Sequence, residues 1–155
     1  MEGTMEWSLR IPGAPSPWTV QIAKAARVSG FTNMQAWQAQ IQAHARQQWQ
    51  GPPLEGAVVV DTTFYRGWPK HAPKQREKAR WSLRHIITTP DVGNYRKAFL
   101  DALQGIVYIN DSQVLAGTER KCYTTAKEGY TLVTIEQCGP DYMVLWEEED
   151  DTAPA

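Results

Sequence analysis

Cysteine is scarce in this chain. Cys122 and Cys138 are the only two among 155 residues. They have neither the dense, even spacing of a disulfide-stapled secreted domain nor the paired spacing of a zinc site, so a reduced intracellular protein is expected. Long hydrophobic runs are missing too. Nothing approaches the roughly eighteen consecutive apolar residues of a membrane span. Residues 1–10 contain no basic region followed by an apolar run, so neither a signal peptide nor a membrane anchor is expected, and a soluble cytoplasmic protein follows. Charge of one sign does not dominate either, since the formal net charge is -1. That balance hides a division along the chain.

Seven basic residues (Arg66, Lys70, Lys74, Arg76, Lys78, Arg80 and Arg84) stand between positions 66 and 85 against one acid, Glu77, a local net charge of +6. At the other extreme, Glu147, Glu148, Glu149, Asp150 and Asp151 form a run of like charge that repels itself and stays solvated. The expected organisation is therefore a single compact domain over residues 1–146, carrying a basic loop at 66–85, with an acidic disordered tail at 147–155. A chain of this length can bury one core but not two. Its 42% hydrophobic and 21% charged residues exclude wholesale disorder.

Periodicity supplies the elements. Trp7, Leu9 and Ile11 alternate with polar residues, predicting a strand over 7–11 that the prolines at 12, 15 and 17 terminate. Met34, Trp37, Ile41, Ala45 and Trp49 recur every three or four residues, predicting an amphipathic helix within 32–50 and placing Trp37 and Trp49 in the core or a dimer interface. Residues 57–65 are β-branched and aromatic and read as a central strand. A second helix is predicted over 94–104, with Asp91 just ahead of it and Gly105 just past it. Short strands over 106–109, 114–118 and 130–137 follow, with a turn at Asn110, Asp111 and Ser112. The fold class expected is α/β (α+β), a small mixed sheet with two main helices.

The second helix spans about 16 Å, and the six residues after it reach roughly 20 Å when extended, so the chain can return Asp111 to Asp91. Lys97, on the first turn, would tilt toward the same place. Two carboxylates suit Mg²⁺, a hard cation commonly held by one or two carboxylates together with water and substrate phosphate. A lysine there could neutralise charge on the phosphate or protonate the leaving group. Other uses fit the same spacing: an Asp before a helix caps it, an Asp in such a turn makes an Asx-turn, and Lys97 with Asp101 makes a surface ion pair.

Residues 88–114, TTPDVGNYRKAFLDALQGIVYINDSQV, resemble the signature of the RusA family of Holliday-junction resolvases. Its parts are a Pro-Asp-x-Asp-Asn-x-x-Lys block, an Asp-Ala-Leu helix and an acidic Asp-Asp-x-Gln-Val turn. Weaker similarity extends over residues 7–137. The resemblance implies a small mixed α/β fold that forms a homodimer. It implies Mg²⁺-dependent (or Mn²⁺-dependent) paired nicking of four-way DNA junctions, in a bacterial or phage-infected cell. Asp91 and Asp111 match the family's catalytic, metal-binding aspartates, Lys97 its lysine, and Asn94 the asparagine beside the metal site. The family's second aspartate is Gly93 here, and Asn110 stands where the family often has another acid. Three consequences are open: one Mg²⁺ held by Asp91, Asp111 and water; recruitment of another acid such as Asp61; or junction binding without cutting.

Lys70, Lys74, Arg76, Lys78, Arg80 and Arg84 form the expected DNA-binding set, since each neutralised phosphate releases counterions and adds affinity without base readout. Trp68 and Trp81 flank that loop and either stack on unpaired bases or pack its base. Besides a junction endonuclease, the sequence allows a catalytically inactive junction-binding protein and a recombination or replication interaction module. These differ in observable ways: metal-dependent symmetric nicks, salt-sensitive binding without product, or no preference for branched DNA.

Overall fold

The computed structural model describes residues 5–17, 33–67 and 90–139. Its centre is β2 (Val58–Gly67). Val58, Val60, Thr62 and Phe64 point to one face and are buried, while the residues between them are only partly covered. This period of two is what a strand with one face on a core produces. β5 (Tyr130–Gln137) pairs antiparallel with β2 from Val58 opposite Gln137 to Tyr65 opposite Tyr130. β1 (Glu6–Pro12) pairs antiparallel with the far side of β5. On the other side of β2 lie two short parallel strands, β3 (Val114–Ala116) near its start and β4 (Glu119–Thr124) along its end.

Both predicted helices are present. α1 (Asn33–Gln48) buries Met34, Trp37, Ile41 and Ala45. α2 (Val92–Leu103) buries Tyr95, Ala98, Phe99, Ala102 and Leu103. Trp37 joins the layers, its ring centroid lying 6.0 Å from Phe64, 6.3 Å from Tyr95 and 6.0 Å from Phe99. Trp49 packs on Trp7 at 5.0 Å and is 8% exposed, so both Trp37 and Trp49 belong to the core of the chain itself. The Gln48 side-chain amide reaches back to β1, accepting from the Arg10 N–H at 3.0 Å and donating to its carbonyl at 2.7 Å. In this way α1 satisfies backbone groups that β5 leaves unpaired.

Two segments differ from the sequence expectation. Residues 106–109 turn rather than extend: the Val107 N–H bonds the Leu103 carbonyl, Gly105 adopts φ 80°, and Ile106, Val107 and Tyr108 are buried as a plug. A short apolar run reads alike in either conformation. β4 was not anticipated, because its sequence, ERKCYT, is polar and fully buries only Cys122. Lys70, Lys74, Arg76, Lys78, Arg80, Arg84, Trp68, Trp81 and the tail at 147–155 lie outside the described residues. Among those described, no helix is long and apolar enough to cross a membrane.

Candidate active site

Asp91 is the N-cap of α2, with extended backbone (φ -63°, ψ 142°) and an exposed side chain. Its carbonyl accepts from the Asn94 N–H at 3.0 Å, but its carboxylate makes no capping hydrogen bond. Asp91 therefore starts the helix through its backbone and does not spend its charge on the cap. The residue before it is fixed by β4, where the Lys121 Nζ donates to the Pro90 carbonyl at 2.7 Å.

Asp111 opens a 3-10 turn, Asp111–Gln113. The Asx role expected of it falls instead to Asn110, whose side chain accepts from the Ser112 N–H at 2.9 Å. Gln113 braces the turn on both sides. Its Oε1 accepts from the Ile109 and Asn110 N–H groups at 2.9 and 2.8 Å, and its Nε2 donates to the Leu54 and Gly56 carbonyls, each at 2.9 Å. The Asp111 N–H donates to the Gln104 Oε1 at 3.1 Å, which leaves the carboxylate outside the turn's own bonding.

That carboxylate meets Asp101. Partial burial, then the hydrogen bond and negative charge of Asp111, push the Asp101 carboxyl up to about 6, with Lys97 opposing the rise. Two carboxyl groups in contact cannot both ionise cheaply, so they share a proton or a cation. Burial foremost, then the charge of Asp111, also raises the Tyr108 phenol well above its ordinary range, while its OH donates to the Leu100 carbonyl at 2.6 Å.

The returning segment thus brings Asp111 to Asp101 rather than to the helix N-cap. Ten residues of α2 separate Asp91 from Asp101, about 15 Å along the axis. Beside this helix runs a groove of about 390 Å³ lined by Arg96, Leu100, Asp111, Gly117 and Glu119, among others. The Arg96 guanidinium crosses it, donating to the Thr62 Oγ1 at 3.1 Å and the Thr118 carbonyl at 3.2 Å and lying 3.7 Å from Glu119. Asp61, a candidate replacement acid, is committed elsewhere: its Oδ1 accepts from the Thr118 N–H at 2.7 Å and hydroxyl at 3.0 Å, holding the break between β3 and β4. Arg96, Gln113 and Glu119 carry no assignment from sequence, and Asp101 carries only that of an ion-pair partner for Lys97, although Arg96, Asp101 and Gln113 lie inside the quoted motif.

Among the described residues, no three His, Cys, Asp or Glu side chains converge as a ready metal cage. The donors nevertheless suit Mg²⁺, which takes hard carboxylate oxygens, retains waters and completes its shell with substrate phosphate. A carboxylate pair drawn into contact at Asp101 and Asp111 is an environment a divalent cation relieves.

Over 74 residues the chain is 39% identical to the Bacillus subtilis (strain 168) protein YqaN, covering 46% of this chain. It spans about half the length of that relative, 52%. The family model for endodeoxyribonuclease RusA matches residues 15–136, a span that takes in both helices and the Asp111 turn. The chain belongs to the RusA endodeoxyribonuclease family.

Proposed function

We propose that this protein is a Mg²⁺-dependent, structure-selective endonuclease that resolves four-way DNA junctions by paired nicks, acting as a homodimer in the cytoplasm of a bacterial or phage-infected cell. Mn²⁺ is a second usable ion. The observation that carries the reading is the Asp111 carboxylate, displayed by a turn that does not consume it and set against a second carboxylate, Asp101. Asp91 and Asp111, toward opposite ends of α2, are the residues that would offer carboxylates to metal, with Asn94 fixing the backbone at Asp91. When bound, the ion supplies an activated water and charge stabilisation for the leaving oxygen.

The chain's own residues divide the remaining work. Lys97 is exposed on the α2 face that bears Asp101, where a cation can offset charge building on the scissile phosphate. Lys70, Lys74, Arg76, Lys78, Arg80 and Arg84 bind the backbone phosphates of the arms. The proposal predicts that Asp91→Asn and Asp111→Asn each abolish cutting of a labelled four-way junction. Binding should be kept or slightly tightened, because removing a negative charge lessens repulsion of phosphate. Gel assays with Mg²⁺, Mn²⁺ and chelator read both quantities. Full cutting by either variant would overturn the ligand assignment, and equal cutting of linear duplex would overturn the junction preference.

The alternative of junction binding without cutting is motivated by Gly93, which offers an ion no side-chain oxygen. Tight, salt-sensitive junction binding with no product under either ion would favour it.

A further inference from the structure

Two hollows adjoin at the end of the sheet where β1 finishes and β5 begins. The larger, about 730 Å³, lies between the loop that follows β1 and the face of α1 that carries Asn33, Gln40 and His44, with Trp37 and Gly67 on its walls. The smaller, about 350 Å³, is bounded by Arg10, Lys127 and Tyr130, among others. They share Pro12 and residues 127–129. The floor between them is fixed, because the Gly13 N–H donates to the Gly129 carbonyl at 3.0 Å and a Cβ at Gly129 would collide with the Tyr65 carbonyl oxygen.

The walls suit one class of ligand. In the smaller hollow the Arg10 guanidinium lies 4.3 Å from the centroid of the Tyr130 ring, which itself stacks on Tyr65 at 4.5 Å. Arg10 and Lys127 are exposed, and among the described residues neither is in an ion pair, so both cations are open to phosphate. Glu128 is the one acid among the described residues on these walls and opposes them. In the larger hollow Trp37 is 2% exposed, and its indole N–H has no hydrogen-bond partner among the described residues, a donor left at a cost until an acceptor arrives. Gln40 offers an exposed amide on the same wall, able both to donate to and to accept from a base edge. Gly67 belongs to the segment with a net charge of +6. Unpaired nucleotides need a flat face to stack on and cations for their phosphates. A duplex, with its bases stacked inside, has no use for an indole N–H at the bottom of a hollow.

Resting on the endonuclease reading above, we propose that the two hollows hold unpaired nucleotides of one strand at the branch of the DNA substrate, with phosphates on Arg10 and Lys127 and a base edge on the Trp37 N–H and the Gln40 amide. Trp37 also packs against Tyr95, one turn into α2 from Asp91, so the larger hollow is joined by a single aromatic contact to the end of α2 that carries Asp91.

The test uses the full-length protein and a fluorescein-labelled oligothymidine of about ten nucleotides, a length such grooves accommodate. Arg10→Gln combined with Lys127→Gln should weaken oligothymidine binding at least about tenfold and linear-duplex binding by less than about twofold. Gln40→Leu, which alters no charge, should weaken oligothymidine binding by about threefold. Thermal unfolding of each variant should match wild type. In the wild-type protein the indole N–H resonance of Trp37, identified by its loss in Trp37→Phe, should shift when oligothymidine is added, which keeps the test valid if a variant folds poorly.

Wild-type oligothymidine affinity in both groove variants, or a Trp37 indole resonance that the oligonucleotide does not move, overturns the groove assignment and leaves the endonuclease reading intact. A Trp37 resonance that moves with protein concentration instead gives the hollow to a second copy of the chain and equally overturns it. Junction cutting by a protein that binds no oligothymidine overturns the groove alone. A protein that binds neither oligothymidine nor junction and cuts no junction overturns both.

Discussion

At the scale of single residues, the structure spends side-chain amides where the sequence displays charge. Gln113 uses both its oxygen and its nitrogen twice, bonding four backbone groups that span residues 54 to 110. Asp111 is two positions away, so the direction of its carboxylate depends on this brace. Gln113→Ala leaves two N–H and two carbonyl groups to water or to nothing. The expected loss is about 1–3 kcal/mol of stability, the cost of leaving such groups imperfectly satisfied. Urea unfolding checks that figure, and junction cutting should fall further than the loss of folded protein accounts for, because the turn that aims Asp111 loosens. A Gln113→Ala protein as stable and active as wild type would show that the turn is set by Asn110 and Gln104 instead. Glycine is required at one neighbouring point, Gly117, where φ is 149° and a Cβ would collide with the Val60 carbonyl oxygen.

At the scale of elements, α2 and the turn after it are linked through the Asp101 carboxyl. Asp101 on the helix and Asp111 on the turn are in contact, and the Asp101 carboxyl is pushed up to about 6, by burial first and by Asp111 next. The folded state therefore binds a proton that the unfolded chain, with an ordinary aspartate, has released between about pH 4 and 6. With more protons on the folded form, stability must fall as pH rises through that window and level off above it. Asp101→Asn removes the titrating partner. Its unfolding temperature should exceed wild type at pH 7 and converge with it near pH 4, in metal-free buffer, by differential scanning calorimetry. A pH-independent difference between the two proteins would show that the Asp101 carboxyl is not raised in the folded state. Adding Mn²⁺ to wild type at pH 7 should recover part of the same stability, since a cation between the carboxylates substitutes for the proton.

These elements also show what the sequence made legible. The helices announced themselves because Trp37, Ile41 and Ala45, and then Tyr95, Ala98, Phe99 and Ala102, repeat at the helical period and all proved buried. β5 was legible for the same reason at a period of two. β4 carries a charged, mostly half-buried sequence on the sheet's edge, and its pairing with β2 is fixed by partners more than fifty residues away. No local pattern encodes that. The site divides likewise: Asp91, Asn94, Lys97 and Asp111 were visible as a motif. The pairing of Asp111 with Asp101 and the bonding of Asp61 by Thr118 arise only once β2, α2 and β4 are side by side.

At the scale of the whole molecule, net charge conceals the property that matters for DNA. The sum is -1, yet residues 66–85 carry a net of +6 and the end of the chain carries five consecutive acids. β2 delivers the basic segment from Arg66 and Gly67, and Pro90 receives it directly before Asp91, so both of its ends are anchored on elements of the candidate site. Affinity for a junction should therefore come largely from that segment and depend steeply on salt, as counterions leave the phosphates it neutralises. Replacing Lys74, Arg76, Lys78 and Arg80 together by Ala should weaken junction binding. It should also flatten the plot of log affinity against log salt by roughly 0.9 for each phosphate that is no longer neutralised. Fluorescence anisotropy across a salt series gives the slope, and cutting at saturating protein should remain near wild type, since the carboxylates are untouched. An unchanged slope would move the DNA-binding surface elsewhere on the molecule. A reduced cutting rate at saturation would instead make the basic segment part of the chemistry, pressing the scissile phosphate toward Asp111 rather than merely holding the arms.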